Sequence, residues 1–297
     1  MAIGITPDIG NENPYISVAE YKQAPTALSI STLVVNGNQA AQDAELETVI
    51  LRASSYMNEY LNQNLVATQY TETQRIRYSA SGGYYALHPY NAPIVALSAF
   101  NYGANPNQLY ALQDCSIAWF EGQQIIIPGD QIGWNWTSQG PLQFGGSIGQ
   151  NNWTFTKYTY IAGFANTYSV TNTIVGATSI EVEDATGILP GEQYRIFDGA
   201  NTERVVVSDT YTFGDTTVTL QSPMKFAHIA GATFSNLPNA IKQACILVTS
   251  AFIKMRGDSS TTMAYTTSPS GNIAGAVRYG NDIAMALDMV DKYRRVR

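Results

Sequence analysis

Apolar residues recur at three- and four-residue intervals in two long segments that lie far apart in the chain. Leu237 to Gly257 has an apolar stripe and further apolar residues on other faces, which predicts a central helix covered by more than one neighbour. Pro238 suits the first turn of such a helix. Asp43 to Gln63 has one apolar stripe opposite a charged side. We therefore predict that these two helices pack together in a helical core.

Shorter helices are predicted near both ends of the chain. Ser17 and Glu20 have the S-x-x-E spacing of a capping box, so a short helix is expected to begin there. Asn281 to Arg297 carries an apolar stripe followed by basic residues, which the C-terminus of a helix favours. Residues 1–13 have no periodicity and are predicted to form a mobile arm.

The pattern between the two long helices is the alternation typical of strands. Residues 68–89 predict a hairpin, and further short strands follow as far as Ile161. Residues 168–236 contain short apolar segments separated by turn residues about every ten positions, which indicates a compact all-β module. The predicted fold class is therefore α+β: a helical bundle core with β-hairpins, plus an inserted all-β barrel or sandwich module.

These patterns divide the chain into three predicted parts. Residues 1–13 form the N-terminal arm. Residues 14–167 together with 237–297 form a core of helices and hairpins, and residues 168–236 form the inserted module. Because a composition shift near Thr167 marks the start of the insertion, we expect the module to lie outside the helical core.

The composition predicts a surface that is polar but weakly charged. Only 13% of the 297 residues are charged, which is about half the usual share, while the chain has 19 Tyr and 24 Gly. Such surfaces are common in secreted proteins and in virion proteins that assemble with copies of themselves, and a neutral soluble protein has the same composition. The net charge of −7 argues against general nucleic-acid binding, which depends on Lys and Arg.

Charge is distributed unevenly along the chain. Residues 291–297 carry four basic side chains and one acidic side chain, whereas residues 168–236 carry eight acidic and three basic ones. The basic segment is therefore a local feature that would suit an acidic neighbour.

Few residues suggest catalysis or metal binding. His88 and His228 are isolated and beside turns, and Cys115 and Cys245 lack metal-ligand spacing. No catalytic or nucleotide-binding motif is present in the sequence. We therefore predict that the protein is not an enzyme and uses no cofactor or metal.

Three carboxylates keep a catalytic alternative open. Glu181 and Glu183, with Asp184 next to them, would place two carboxylates on one face of a strand, and Asp198 with Glu203 is a second acidic pair of the same module. Such a group could bind Ca²⁺ or act as a sparse glycosidase site. A solvated strand face is the simpler interpretation, and the hydrolase stays as the third alternative.

Two long stretches have neither helical nor strand periodicity. Asp130 to Asn152 is rich in Gly, Asn and Gln and contains Trp134 and Trp136, which form a candidate contact loop. These tryptophans would equally suit packing back onto their own domain. Asp258 to Tyr279 is rich in Ser, Thr and Gly. We predict that one of these two loops becomes ordered only on assembly.

Nothing in the sequence predicts a membrane protein. The N-terminus lacks a basic region followed by an apolar core, and no run approaches the roughly 20 apolar residues of a membrane span. We expect the protein to be made and to fold in a cytoplasm.

Six short motifs follow one another along the chain. They are Tyr15-Ile-Ser-Val-Ala-Glu-Tyr-Lys, Ile50-Leu-Arg-Ala-Ser-Ser-Tyr-Met-Asn-Glu-Tyr-Leu, Leu87-His-Pro-Tyr-Asn-Ala-Pro-Ile, Tyr160-Ile-Ala-Gly-Phe, Leu237-Pro-Asn-Ala-Ile-Lys-Gln-Ala and Tyr293-Arg-Arg-Val-Arg. In this order the chain resembles the head-to-tail connector (head-completion adaptor) proteins of tailed phages. The resemblance covers residues 14–167 and 237–297, and it depends on the order because each motif is loose. The module at 168–236 departs from the compact family pattern.

The resemblance implies a structural role in a virion. Its members form a ring, usually a dodecamer, beneath the portal protein at the capsid vertex between head and tail. Such a ring extends the DNA channel, through which DNA passes without sequence-specific binding, and offers a docking platform to tail or stopper proteins. The expected partners are therefore copies of the same chain, the portal and a tail or stopper protein, made in the host cytoplasm.

We predict that residues 281–297 dock on the portal or on an adjacent subunit. The residues expected to make this contact are Ile283, Leu287, Val290, Lys292, Tyr293, Arg294, Arg295 and Arg297. A helix end that satisfies only its own carbonyls is the alternative. The second functional interpretation is a virion protein whose β module, with Trp134 and Trp136, binds a carbohydrate or cell-surface ligand.

Overall fold

The chain divides by its contacts into two units. The computed structural model describes residues 6–7, 14–31, 33–79, 83–112, 114–128, 153–255 and 277–295. The sheet unit comprises Met1–Ile9 and Ala67–Gly163, and the mixed unit comprises Gly10–Val66 and Phe164–Arg297. The predicted inserted module, residues 168–236, lies wholly within the mixed unit.

The sheet unit is built on one eight-stranded antiparallel sheet. Its strands are β1 (Thr6–Pro7), β2 (Thr68–Ser79), β3 (Tyr84–Leu87), β4 (Ile94–Asn105), β5 (Gln108–Ala111), β6 (Trp119–Glu121), β7 (Gln124–Pro128) and β8 (Trp153–Ala162). The strand order is β5-β4-β8-β2-β3-β7-β6, and β1 pairs with β2. A short 3₁₀ helix, Cys115–Ile117, precedes β6.

Alternating side chains place the core on one face of the central strands. In β8, Thr154, Thr156, Tyr158 and Tyr160 are buried, as the two-residue period of a strand requires. They pack in a core of aromatic and aliphatic side chains from the other strands. Its buried members include Tyr70, Ile76, Leu87, Phe100, Ile125 and Ile127.

The predicted fold class, a helical bundle core with β-hairpins, is wrong. The described residues fold mainly into antiparallel sheets, and those between the two long helices form a sheet with its own core. The strands predicted as separate hairpins are joined because β2 pairs with β8, with Tyr70 opposite Tyr160. Alternation indicates which face of a strand is buried, but it does not indicate which distant strand pairs with it.

The mixed unit contains the helices. They are α1 (Val18–Gln23), α2 (Gln39–Leu61), α3 (Asn239–Met255) and α4 (Val277–Val290), and a 3₁₀ turn, Asp291–Tyr293, follows α4. The predicted capping box of α1 is confirmed, because Glu20 N–H donates to Ser17 Oγ at 3.1 Å and Ser17 N–H donates to Glu20 Oε2 at 2.9 Å.

The predicted contact between the two long helices is present. Ser54 of α2 lies against Cys245 of α3, with 3.7 Å between the hydroxyl oxygen and the sulfur. Burial between the two helices raises the pKa of the Cys245 thiol to about 12. The buried side chains of this core include Leu46, Ile50, Met57, Ile241, Val248, Ala286 and Val290.

The β module forms a second core within the mixed unit. Its strands are β9 (Asn166–Tyr168), β10 (Ser179–Glu181), β11 (Gln193–Phe197), β12 (Glu203–Val206), β13 (Thr217–Thr219) and β14 (Thr233–Ser235). Four strands form a sheet in the order β12-β11-β14-β9, while β10 pairs with β13. The rings of Tyr194 and Phe234 stack in its centre at 4.8 Å between centroids.

Candidate docking surface

Part of the predicted docking segment belongs to the helical core. Val290 is fully buried there, and Ile283 and Leu287 are half-buried. Near the start of α4, Lys254 Nζ lies 2.7 Å from a carboxylate oxygen of Asp282, which ties α4 to α3. Val290 therefore stabilises the fold of the chain itself, whether or not a partner binds.

Residues 293–295 are anchored on the end of α2 by hydrogen bonds. Arg295 N–H donates to the Leu61 carbonyl at 2.9 Å. The side-chain amides of Gln63 and Asn62 donate to the carbonyls of Tyr293 and Arg295 at 2.5 and 3.1 Å. Since the last four carbonyls of a helix have no partner within it, this segment caps α2.

The side chains of Lys292 and Arg294 lie against aromatic rings. The Arg294 guanidinium carbon lies 4.7 Å from the centroid of the Tyr60 ring, and Lys292 Nζ lies 4.8 Å from that of Tyr293. The Tyr60 hydroxyl donates to Asp291 at 2.8 Å, and this hydrogen bond raises the pKa of Tyr60. Lys292 and Arg294 remain exposed, and we call this pair the basic corner.

Several predicted residues lie outside the described parts of the chain. These are Arg297, the contact-loop residues Trp134 and Trp136, and most of the stretch from Asp258 to Tyr279. The predicted docking role, the ordering of a loop on assembly and the carbohydrate-binding alternative therefore stay predictions.

The three candidate carboxylates occupy different settings in the β module. Glu181 and Glu183 are exposed beside the buried side chains of Ile180 and Val182. Asp198 accepts a hydrogen bond from Ile229 N–H at 3.2 Å. Asp198 therefore fixes a loop of the module, whereas the two glutamates are presented to solvent.

His228 is part of a buried polar cluster that the sequence did not reveal. Its ring Nε2 lies 2.9 Å from Glu203 Oε1, and its Nδ1 lies 3.6 Å from Asp198 Oδ2. The Glu203 carboxylate also accepts backbone N–H groups of Lys225 and Phe226 at 3.0 and 3.2 Å. The cluster thus holds residues 225–229 against β12.

We expect Glu203 to make the stability of the module acid-dependent. Burial alone would raise the pKa of Glu203, but hydrogen bonds from Lys225 N–H, His228 and Phe226 N–H hold it below the ordinary value of 4.5. Because the lowered pKa belongs to the folded state, this stabilisation is present above the unfolded pKa and is lost as pH falls through the folded pKa.

Thermal unfolding of the full chain between about pH 7 and about pH 3 measures this effect. Below about pH 5, the unfolding temperature of the variant Glu203→Gln should fall less than that of the wild type. Glu181→Gln, which removes an exposed carboxylate of the same module, should keep it. An identical acid decline in the wild type and in Glu203→Gln would contradict the assignment.

The described residues show no membrane-spanning helix and no metal cluster. No helix among them is long and apolar enough to cross a bilayer. Within the same residues, no group of three or more His, Cys, Asp or Glu side chains is placed to hold a metal ion.

Comparisons with known proteins give one distant likeness. No family model matches the sequence, and no curated protein matches it. Among solved structures, the chain is similar to a chain from the neck of an empty GTA particle, computed with C6 symmetry. The two are 11% identical, the alignment covers 100% of this chain and 97% of that chain, and the TM-score is 0.40. A likeness this distant carries no argument about function, which must come from the residues of the chain itself.

Proposed function

We propose that this chain is a structural adaptor in the neck of a phage-like particle, located at the portal vertex. Copies would form a ring beneath the portal, extend the DNA channel and offer a platform to tail or stopper proteins. The observation that carries this proposal is the basic corner, because Lys292 and Arg294 are exposed on a segment fixed to the helical core. The order of the sequence motifs supports the same role.

A fixed basic corner suits docking for two physical reasons. Its backbone is already ordered by the hydrogen bonds to Leu61, Asn62 and Gln63, so less conformational freedom is lost on binding. Charges at the rim of an interface also speed the encounter and select its orientation. Only 13% of all residues are charged, so few other charges compete with this local group for an acidic partner.

The remaining features of the proposal follow from this role. The protein would act without catalysis or a cofactor. Its net charge of −7 would let DNA pass through the ring without being held. The ring would contain many identical copies, with a dodecamer as the proposed number.

Electron microscopy of purified particles tests the function. We expect the chain, marked by a specific antibody or a fused density label, in a collar between head and tail. Particles whose collar lacks the label, although the chain is made in the infected cell, would overturn the proposed role.

Neutralising the basic corner should weaken attachment. The variant Lys292→Gln/Arg294→Gln keeps the backbone bonds that cap α2, whereas deletion of residues 291–297 would also remove those bonds. We expect binding to portal-bearing heads to fall about tenfold or more at low salt, and less at high salt, because salt screens exposed charges.

A matched control separates this local effect from overall charge. Lys157→Gln/Arg204→Gln removes two exposed basic side chains elsewhere, with the same change in net charge. It should bind the heads as the wild type does. Equal losses in the two variants would mean that overall charge, and not the basic corner, governs attachment.

A further inference from the structure

Four aliphatic side chains are exposed together on the β module. The exposed fractions are 50% for Val170, 75% for Ile174, 64% for Val175 and 63% for Ile229. Single exposed apolar residues are ordinary, whereas a group of them is typical of an interaction site. We call these four residues the module patch.

Backbone pairing brings two members of the module patch, Ile174 and Ile229, together. Thr173 and His228 exchange N–H to carbonyl hydrogen bonds of 2.8 and 3.2 Å, and both side chains are buried. Because neighbouring residues in paired segments face the opposite side, Ile174 and Ile229 share the outer face. Val170 and Val175 belong to the same segment, four residues before and one residue after Ile174.

The module patch is held in a fixed shape from beneath. The buried ring of His228 contacts Glu203 at 2.9 Å, and Asp198 accepts the Ile229 N–H at 3.2 Å. Anchoring of this kind lowers the conformational entropy that a binding surface loses in a complex. The patch is therefore organised before any partner arrives.

Acidic side chains border the module patch. Val170 N–H donates to the backbone carbonyl of Glu181 at 2.9 Å, so the exposed Glu181 side chain follows directly beside the patch. Glu183, two residues further on, is exposed as well. A partner that covers the patch would therefore need an apolar contact next to positive charge.

The outer side of α4 and the turn after it have this complementary chemistry. Met285 of α4 is 58% exposed, and Lys292 is exposed in the 3₁₀ turn that follows this helix. Arg294 is exposed beside it. The exposed end of α4 thus carries an apolar side chain and the two cations, together with the exposed carboxylates of Asp288 and Asp291, and Asp291 Oδ1 lies 4.0 Å from the Arg294 guanidinium.

We propose that the module patch binds the α4 end of a second copy of this chain. Met285 of one copy would cover part of the patch on the next. Lys292 and Arg294 would face Glu181 of β10 and Glu183, which follows that strand. This inference rests on the proposed function and deepens it. The acidic partner of the basic corner is here the next subunit of the ring, and attachment to heads would depend on the corner because it depends on the assembled ring.

The proposed contact is heterologous, since it joins two different surfaces of the same chain. A heterologous contact gives a ring when its repeated rotation closes and an open filament when it does not, whereas a contact between identical surfaces stops at a dimer. One contact of this type is thus enough to build a closed assembly.

Sedimentation velocity of the full chain tests the contact with two variants. Ile174→Asp/Ile229→Asp alters the module patch, and Lys292→Glu/Arg294→Glu alters the basic corner. Wild-type protein should associate with itself, and each variant alone should associate about tenfold or more weakly. An equimolar mixture should form dimers, because one variant keeps the patch and the other keeps the basic corner.

Controls separate the contact from folding. All four side chains are exposed, so both variants should keep the wild-type far-UV circular dichroism spectrum and a cooperative unfolding transition. Glu192→Lys, which changes an exposed carboxylate of the module outside the patch, should associate as the wild type does.

Three results would overturn the proposed contact: wild-type protein that stays monomeric at every concentration, variants that assemble normally, or a mixture that forms no dimers. The particle labelling described above distinguishes this failure from failure of the proposed function. A labelled collar without patch-dependent association would reject only the contact. Patch-dependent rings in solution with no label in the collar would reject only the function.

Discussion

Replacing Lys242 with methionine is expected to lower the free energy of unfolding of the mixed unit by about 3–5 kcal/mol. Lys242 Nζ lies 2.6 Å from Glu20 Oε1, and the two side chains are only 8% and 6% exposed. Loss of the ammonium group leaves a buried carboxylate without its cation, which costs more than the pair contributes when intact. Chemical denaturation at neutral pH, followed by far-UV circular dichroism, measures the change.

A second ion pair of the same unit supplies the control. Lys22 and Asp43 lie 2.6 Å apart, but each side chain is 34% exposed. Lys22→Met should therefore cost less than about 1 kcal/mol. The double variant Glu20→Gln/Lys242→Met should recover part of the loss, because it leaves no buried charge. If Lys22→Met and Lys242→Met lowered the free energy of unfolding equally, burial of the Lys242–Glu20 pair would not be the cause of the loss.

Replacing Glu72 with alanine is expected to destabilise the sheet unit by roughly 3 kcal/mol or more, since it leaves buried donors without an acceptor. The Glu72 carboxylate accepts hydrogen bonds from Tyr158 OH at 2.8 Å, from Tyr160 OH and from Tyr90 N–H at 2.9 Å. Burial, followed by the charge of Glu72, raises the pKa of Tyr160, so its hydroxyl stays protonated and continues to donate.

The matched control lies one residue further along β2. Thr73 is exposed, and Thr73→Ala should change the free energy of unfolding by no more than about 0.5 kcal/mol. Both variants are compared by urea denaturation, with tyrosine fluorescence as the probe. If Glu72→Ala were as mild as the control, the carboxylate would not be a main anchor of the sheet unit.

The sequence was informative where structure depends on neighbours in the chain. The predicted helices Asp43 to Gln63 and Leu237 to Gly257 correspond to Gln39–Leu61 and Asn239–Met255. The short strands predicted within residues 168–236 are present, among them Gln193–Phe197. These features follow from apolar periodicity, cap residues and turn residues, all of which act over a few positions.

The fold class could not be predicted because it depends on distant pairing. β2 forms its longest ladder with β8, from Thr68 opposite Ala162 to Arg77 opposite Trp153. The polar and apolar alternation of either strand fits many partners and registers. The hairpin predicted for residues 68–89 is present, with Tyr78 opposite Tyr85. The pairing that joins it to β8 in a sheet with its own core does not follow from the sequence.

The sequence predicts the positive charge of the candidate docking surface but not its anchoring. The basic segment is visible in the sequence, but its anchoring on Asn62 and Gln63 depends on side chains more than two hundred residues away. The module patch was missed because Ile174 and Ile229 are β-branched residues, which normally indicate a buried strand. Exposure of such residues is a property of the folded module, and no local pattern encodes it.

The end of α2 can be capped by residues 293–295 only late in synthesis of the chain. A ribosome makes α2 early, yet the Leu61 carbonyl receives the N–H of Arg295 only after α3 and α4 have been made. The intervening sheet unit can pair its strands during that time, since domains fold as they emerge. Nascent chains would therefore carry a frayed helix end until translation has passed residue 295, so unfinished subunits could not present the basic corner in its assembled geometry.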